Sequence, residues 1–140
     1  MISIGNHDRG EPDVSFDFDH DVGAPRKARA AIRSLISAAD DPIAFEVEAV
    51  TSELVSNVIQ HTEGGGMLRA WDPTPNVPLR LEVTDRGAGL PEPTPHAKPT
   101  EMGGQGLWIV DRMADAWGVV LEPGTKMVWA EFVRTTRRRT

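Results

Sequence analysis

The sequence predicts an α+β fold, a two-layer sandwich in which a mostly antiparallel or mixed sheet is covered on one face by helices. Three observations predict it. Five short stretches read as strands, and in VSFDFDH and LRLEVTD apolar and polar residues alternate, the period of a strand with one wet face. Three others repeat apolar residues at steps of three and four, the period of an amphipathic helix. Their order is β-α-α-β-β-loop-α-β-β, with short turns between neighbouring strands, so consecutive strands pair antiparallel and the helices share one face.

Each element follows from local pattern. Residues 1–13 carry no periodicity and are expected to form a flexible N-terminus. VSFDFDH then alternates, with Val14, Phe16, Phe18 and His20 on one side and Ser15, Asp17 and Asp19 on the other. Pro25 opens PRKARAAIRSLISAA, because proline is tolerated in a first helical turn; Ala28, Ile32, Leu35 and Ile36 form its apolar stripe. DDPIAFEVEAVTSELVSNVIQH follows as a helix of about five turns, with Asp41 as N-cap and Pro42 as first residue. Val47, Val50, Leu54, Val58 and His61 make its stripe, and Gly64, Gly65 and Gly66 end it.

MLRAW and LRLEVTD read as a hairpin around the proline-rich DPTPNVP. Residues 86–106 are a long loop holding Pro91, Pro93, Pro95 and Pro99; structureless loops of this length in compact domains usually serve function. LWIVDRMADAW is a short helix with Leu107, Val110, Ala114 and Trp117 in phase. GVVLE and MVWAEFV close the fold around Pro123 and Gly124. The domain is therefore expected over residues 14–133, with a basic tail at 134–140.

Composition narrows the function classes. The chain of 140 residues is long enough for one self-supporting core. It has no cysteine, which excludes disulfides, thiolate catalysis and cysteine-based zinc sites. Acids outnumber Lys and Arg by 21 to 15, and four of those cations, Arg134, Arg137, Arg138 and Arg139, crowd the last seven residues. The acidic body argues against direct nucleic-acid binding and suits a basic partner surface. No apolar run approaches a membrane span and the N-terminus shows no signal-peptide core, so the expected location is the cytoplasm.

Three features carry chemistry. Along ELVSNVIQH, Glu53, Asn57 and His61 recur every four residues, the spacing that stacks side chains on one helix face. Glu and Asn one turn apart can share a hydrated Mg²⁺, which prefers oxygen ligands and keeps most of its waters. On the helix alone a solvated polar face is the leading explanation of the stripe. DRGAG begins where a strand ends in Asp85, and Gly87 and Gly89 allow close backbone approach. GGQG runs straight into a helix, whose free N–H groups suit an anion. Neither the GxxxxGK[ST] loop nor a GxGxxG after a first strand is present.

Taken in order, ELVSNVIQH, DRGAG and GGQGL resemble the N-box and two glycine boxes of the Bergerat or GHKL ATPase superfamily, shared by gyrase, histidine kinases, MutL and a heat-shock chaperone. Within it the chain is most similar to the RsbW-like anti-sigma-factor serine/threonine kinases of actinobacterial type, which ADAWGV and GTKMVWAEF also resemble. The resemblance covers about residues 14–133. It implies ATP and Mg²⁺ as cofactors. Asn57 would ligate the metal, and Glu53 would hold a metal-bound water or act as the catalytic general base. Asp85 would accept a hydrogen bond from the adenine amino group in a pocket shaped by Gly89. Gly104 and Gly106 would cradle phosphates, and residues 90–103 would close as a lid. The nucleotide-binding set is then Asn57, Asp85, Gly87, Gly89, Gly103, Gly104, Gly106 and Leu107. His61, Trp108, Trp117 and Trp129 are expected in structural roles.

The implied function is an ATP- and Mg²⁺-binding regulatory protein, an anti-sigma factor with serine/threonine protein kinase activity on an anti-sigma-factor antagonist. The protein partners would be that antagonist and a sigma factor, and the resemblance extends to a homodimer. One departure favours an alternative, a nucleotide-dependent partner-binding switch with little or no kinase activity. Well-studied kinases of this group carry an Arg just before the second glycine box, where this chain has Met102. Lys98 and Arg86 are the candidates to replace that cation.

Overall fold

The computed structural model describes residues 9–37, 40–74, 76–86 and 105–134. Strands and helices follow in the expected order: β1 (Val14–Phe18), α1 (Ala24–Ile32), α2 (Ala44–His61), β2 (Gly66–Trp71), β3 (Leu79–Asp85), α3 (Gln105–Met113), β4 (Ala116–Glu122) and β5 (Thr125–Phe132). Every pairing is antiparallel and the sheet order is β1-β2-β3-β5-β4. The expected two-layer α+β sandwich is the fold.

Period-two alternation decides which face is dry. Leu68 and Ala70 of β2, Leu81 and Val83 of β3, and Val128 and Ala130 of β5 sit side by side in register and are buried under the helices. Helix α2 is the central cover. Val47, Val50, Leu54 and Val58 are its buried stripe, as the spacing of three and four predicts, with Thr51 and Val55 filling the same side. Helix α1 adds Ala28 and Ile32, and α3 adds Leu107 and Val110.

Several boundaries differ from expectation. Helix α2 starts at Ala44, not Pro42. The Asp41 carboxylate accepts from the Ile43 N–H at 3.1 Å and its carbonyl from the Ala44 N–H at 3.2 Å, so it caps a turn just upstream of the helix. His61 is the last helical residue but is exposed rather than part of the stripe. Thr62 makes the closing contact, its hydroxyl donating to the Val58 carbonyl at 3.0 Å. Gly65 then takes φ +73°, and a Cβ there would strike the Phe18 carbonyl oxygen. Helix α3 stops at Met113, which puts Trp117 on β4, where its indole N–H donates to Asp111 at 2.9 Å.

The described segments that flank the sheet are tied in. Residues 1–8 lie outside the described residues, but the Asp13 N–H donates to the Ala70 carbonyl and the Asp13 carboxylate accepts from the Asp72 N–H. Arg134, the first of the tail arginines, is built into the fold. It donates to Asp72 at 2.8 and 3.0 Å, to Asp41 at 3.1 Å and to the Leu35 carbonyl at 3.1 Å. The bond to Asp72, helped by Asp41 and opposed by burial, holds its guanidinium protonated well above the ordinary arginine range. Arg134→Ala would leave two carboxylates without their shared cation. The expected loss is about 2 kcal/mol, or about 6 °C in Tm, read by thermal melting. An unchanged Tm would mean that the contact is only a surface ion pair.

Candidate functional site

The site lies at one end of the sandwich, where a row of register partners crosses the sheet. Phe18 pairs with Gly66, Gly66 with Asp85, Asp85 with Lys126, and Lys126 with Leu121. The row directly behind it runs Phe16, Leu68, Val83, Val128 and Val119, all apolar. Thus the series Leu79, Leu81, Val83 ends in Asp85, and the series Phe132, Ala130, Val128 ends in Lys126, both on the helix-covered face. Asp85 is only 2% exposed. Gly66 beside it contributes no side chain, and a Cβ there would strike the Thr84 carbonyl oxygen and the Phe18 ring.

A cleft opens over this row. Leu54, Asn57 and Val58 of α2 form one wall, Val83, Asp85, Lys126 and Val128 the floor, and Leu107 of α3 the other side. Among the described lining residues, five apolar side chains surround a buried carboxylate, an amide and an ammonium group. Such a lining suits a flat heterocycle with a polar edge. Of the residues singled out in the sequence, Asn57, Asp85 and Leu107 come together here. Glu53 is not in the lining; it lies one turn before Asn57 on α2, half-buried. Gly106 is in the first turn of α3. Gly87, Gly89, Gly103, Gly104, the lid segment 90–103, Lys98 and Met102 lie outside the described residues. Among the described residues no group of three or more His, Asp or Glu side chains is placed to hold a metal on its own. An Mg²⁺ bound through Asn57 would take its remaining ligands from water and phosphate.

The first residue of the glycine loop is locked. The Arg86 N–H donates to the Gly65 carbonyl at 2.9 Å. Its guanidinium donates to Asp17 at 2.9 Å, the Gly66 carbonyl at 3.0 Å and the Phe18 carbonyl at 3.1 Å. Arg86 therefore points toward β1 and ties the end of β3 to its neighbours, so it is not held ready as a replacement for a phosphate-binding cation. Lys126 is the lining residue that the sequence reading missed. Its neighbour Asp85 is 41 positions away, and only the β3–β5 register brings them together.

The tryptophans serve as packing groups, with one exception to expectation. Trp117 is half-buried on the helix side and Trp129 half-buried on the opposite face. Trp108 is 48% exposed, with the Arg112 guanidinium 4.9 Å from its ring centroid.

A family model for the histidine kinase-like ATPase domain matches residues 18–132, more than half of the chain. The chain belongs to this family. No curated protein matches the sequence of this ATPase-type domain. Among solved structures it is similar to the RsbU and RsbW domains of Rv1364c from Mycobacterium tuberculosis, at TM-score 0.63 and 16% identity over 86% of this chain. The chain spans 31% of that protein. The catalytic domain of the histidine kinase ThkA matches at TM-score 0.53 and 17% identity, over 89% of this chain and 99% of the other. ShkA, solved full-length in complex with AMPPNP, matches at TM-score 0.50 and 20% identity, over 91% of this chain and 33% of the other. At these identities the likeness concerns the fold. Among the described residues no helix is long and apolar enough to cross a membrane.

Proposed function

We propose that this ATPase-family chain binds Mg-ATP in the cleft between α2, β3, β5 and α3 and works as a regulatory protein of the anti-sigma-factor kinase type. The observation that carries the reading is the convergence of Asn57, Asp85 and Leu107, from three separate sequence motifs, on one cleft. Asp85 offers a buried carboxylate to an exocyclic amine, the apolar walls take the ring, and Asn57 stands on the side where α2 leads toward Glu53. Bound ATP would supply the γ-phosphoryl group. Glu53 would then accept the proton of a serine or threonine hydroxyl on an antagonist protein, or else orient a metal-bound water. Gly87, Gly89, Gly103 and Gly104 complete the proposed set with Gly106, as backbone donors around the phosphates and base. A sigma factor, the antagonist and a second copy of the chain are the proposed protein partners, and the cytoplasm is the proposed compartment.

The test is transfer of label from γ-labelled ATP, with Mg²⁺, to candidate antagonist proteins. Transfer supports the kinase; none, at nucleotide concentrations where ATP is bound, removes it. Glu53→Gln separates the two roles of that residue. A general base predicts lost transfer with ATP affinity kept, whereas a water-holding role predicts a weaker dependence of ATP affinity on Mg²⁺.

The fixed position of Arg86 favours a second reading, a nucleotide-dependent partner-binding switch with little or no transfer. A cation at the γ-phosphate contributes strongly to transfer and less to binding. Of the two candidate replacements, Arg86 is held by Asp17 and two carbonyls. In that case Asn57→Ala lowers ATP affinity while Glu53→Ala leaves partner capture intact.

A further inference from the structure

We infer that Lys126 reads the base of the bound nucleotide together with Asp85, donating a hydrogen bond to the ring nitrogen next to the exocyclic amine that Asp85 accepts. The inference rests on the proposed nucleotide site and adds to it a residue that determines affinity and base selectivity. Three observations support it. Lys126 is the direct cross-strand partner of Asp85, on the same helix-covered face. Both line the same cleft, and Lys126 is the one basic side chain among its described lining residues. Among the described residues Lys126 makes no side-chain hydrogen bond or ion pair, so its ammonium group remains available to a ligand.

The chemistry of the base edge selects the role. Along its six-membered ring, adenine presents an amine donor next to a ring-nitrogen acceptor. A carboxylate beside an ammonium group is the complementary pair: the first only accepts and the second only donates. Guanine presents an oxygen acceptor next to an N–H donor, the reverse order. Bound in the same orientation, it would set its oxygen against the Asp85 carboxylate and its N–H against the Lys126 ammonium. Lys126 would thus strengthen ATP binding and sharpen the rejection of GTP.

The experiment compares ATP, GTP and 1-deaza-ATP, which lacks the ring acceptor, by calorimetry on the full chain. Three proteins are used: wild type, Lys126→Met and Lys126→Arg. For wild type, 1-deaza-ATP should bind about tenfold more weakly than ATP, the size expected for one charge-assisted hydrogen bond. Lys126→Met should weaken ATP by about the same tenfold and bind ATP and 1-deaza-ATP alike. Its preference for ATP over GTP should fall, and Lys126→Arg should recover part of the ATP affinity. Thermal melts check that each variant is folded. Unchanged ATP affinity in Lys126→Met overturns the inference. So does an equal loss for ATP and 1-deaza-ATP, which would move Lys126 to the ribose or phosphates. A wild-type chain that binds no nucleotide overturns the site itself, an outcome distinct from either.

Discussion

Asp85→Ala is expected to weaken ATP binding by about 100-fold, the largest loss expected from any single side chain of the cleft. The carboxylate is the one acidic group among the described lining residues and is 2% exposed, so water competes poorly for whatever it binds. A hydrogen bond to a charged group in such a place contributes about 1.5–3 kcal/mol, and the Ala variant loses all of it. Asp85→Asn is the sharper control. It keeps the size but replaces half of a pure acceptor with a donor, which then faces the donor amine. Its ATP affinity should fall by about tenfold or more, while 6-oxopurine nucleotides should lose less or gain. Calorimetry, with thermal melts as a folding control, measures both. ATP binding within threefold of wild type in a folded Asp85→Ala protein would move the adenine site elsewhere.

Much of this arrangement was legible in the sequence because it depends on period. Alternation assigned Leu79, Leu81 and Val83 to one face, and the i, i+4 spacing put Glu53 and Asn57 on one side of α2. Asp85 was a candidate as the carboxylate at a strand end just before Gly87 and Gly89, and the pairing places it on the same face as Leu79, Leu81 and Val83. The rest depends on contacts between distant segments. Lys126 looks like an ordinary polar strand residue until β3 and β5, which are not consecutive, are paired. Arg86 looks like a cation beside a glycine loop, and its partners Asp17, Phe18 and Gly66 come from two other strands. Helix ends were misread for a local reason. Asp41 and Pro42 suit a helix start as well as the turn before one, and Asp41 is drawn to Arg134, 93 positions away. Trp117 was in phase with α3 but belongs to β4, since a short apolar run fits either period.

The second large effect concerns stability and the face of the sheet that carries no helix. There Glu82 is 1% exposed, unusual for a carboxylate on an uncovered sheet. Arg80 donates to it at 2.9 Å and Arg69 at 3.2 Å, and Arg80 also reaches Glu131 at 2.9 Å. Aromatic rings wall in the network. The Arg80 guanidinium lies 4.5 Å from the Trp129 ring centroid, and Trp129 itself rests on Gly118, where a Cβ would stand 2.7 Å from the indole nitrogen. Arg69 lies 5.6 Å from the Trp71 ring centroid, whose indole N–H donates to the Gly10 carbonyl at 3.1 Å. Glu82 is the anion at the centre, so removing it leaves the Arg69 and Arg80 guanidinium groups close together, with Glu131 already shared between Arg80 and Arg9. Glu82→Ala is therefore expected to destabilise the domain by about 3 kcal/mol, or about 10 °C in Tm. A buried ion network is not stabilising in itself, because both partners lose their hydration. The double variant Arg80→Leu, Glu82→Leu removes that cost with the attraction and should recover most of the loss. Urea unfolding and thermal melts of the single and double variants form the cycle that isolates the coupling. A Glu82→Ala protein as stable as wild type would show that water reaches this face and screens the arginines, whatever the packing of Trp71 and Trp129 over them.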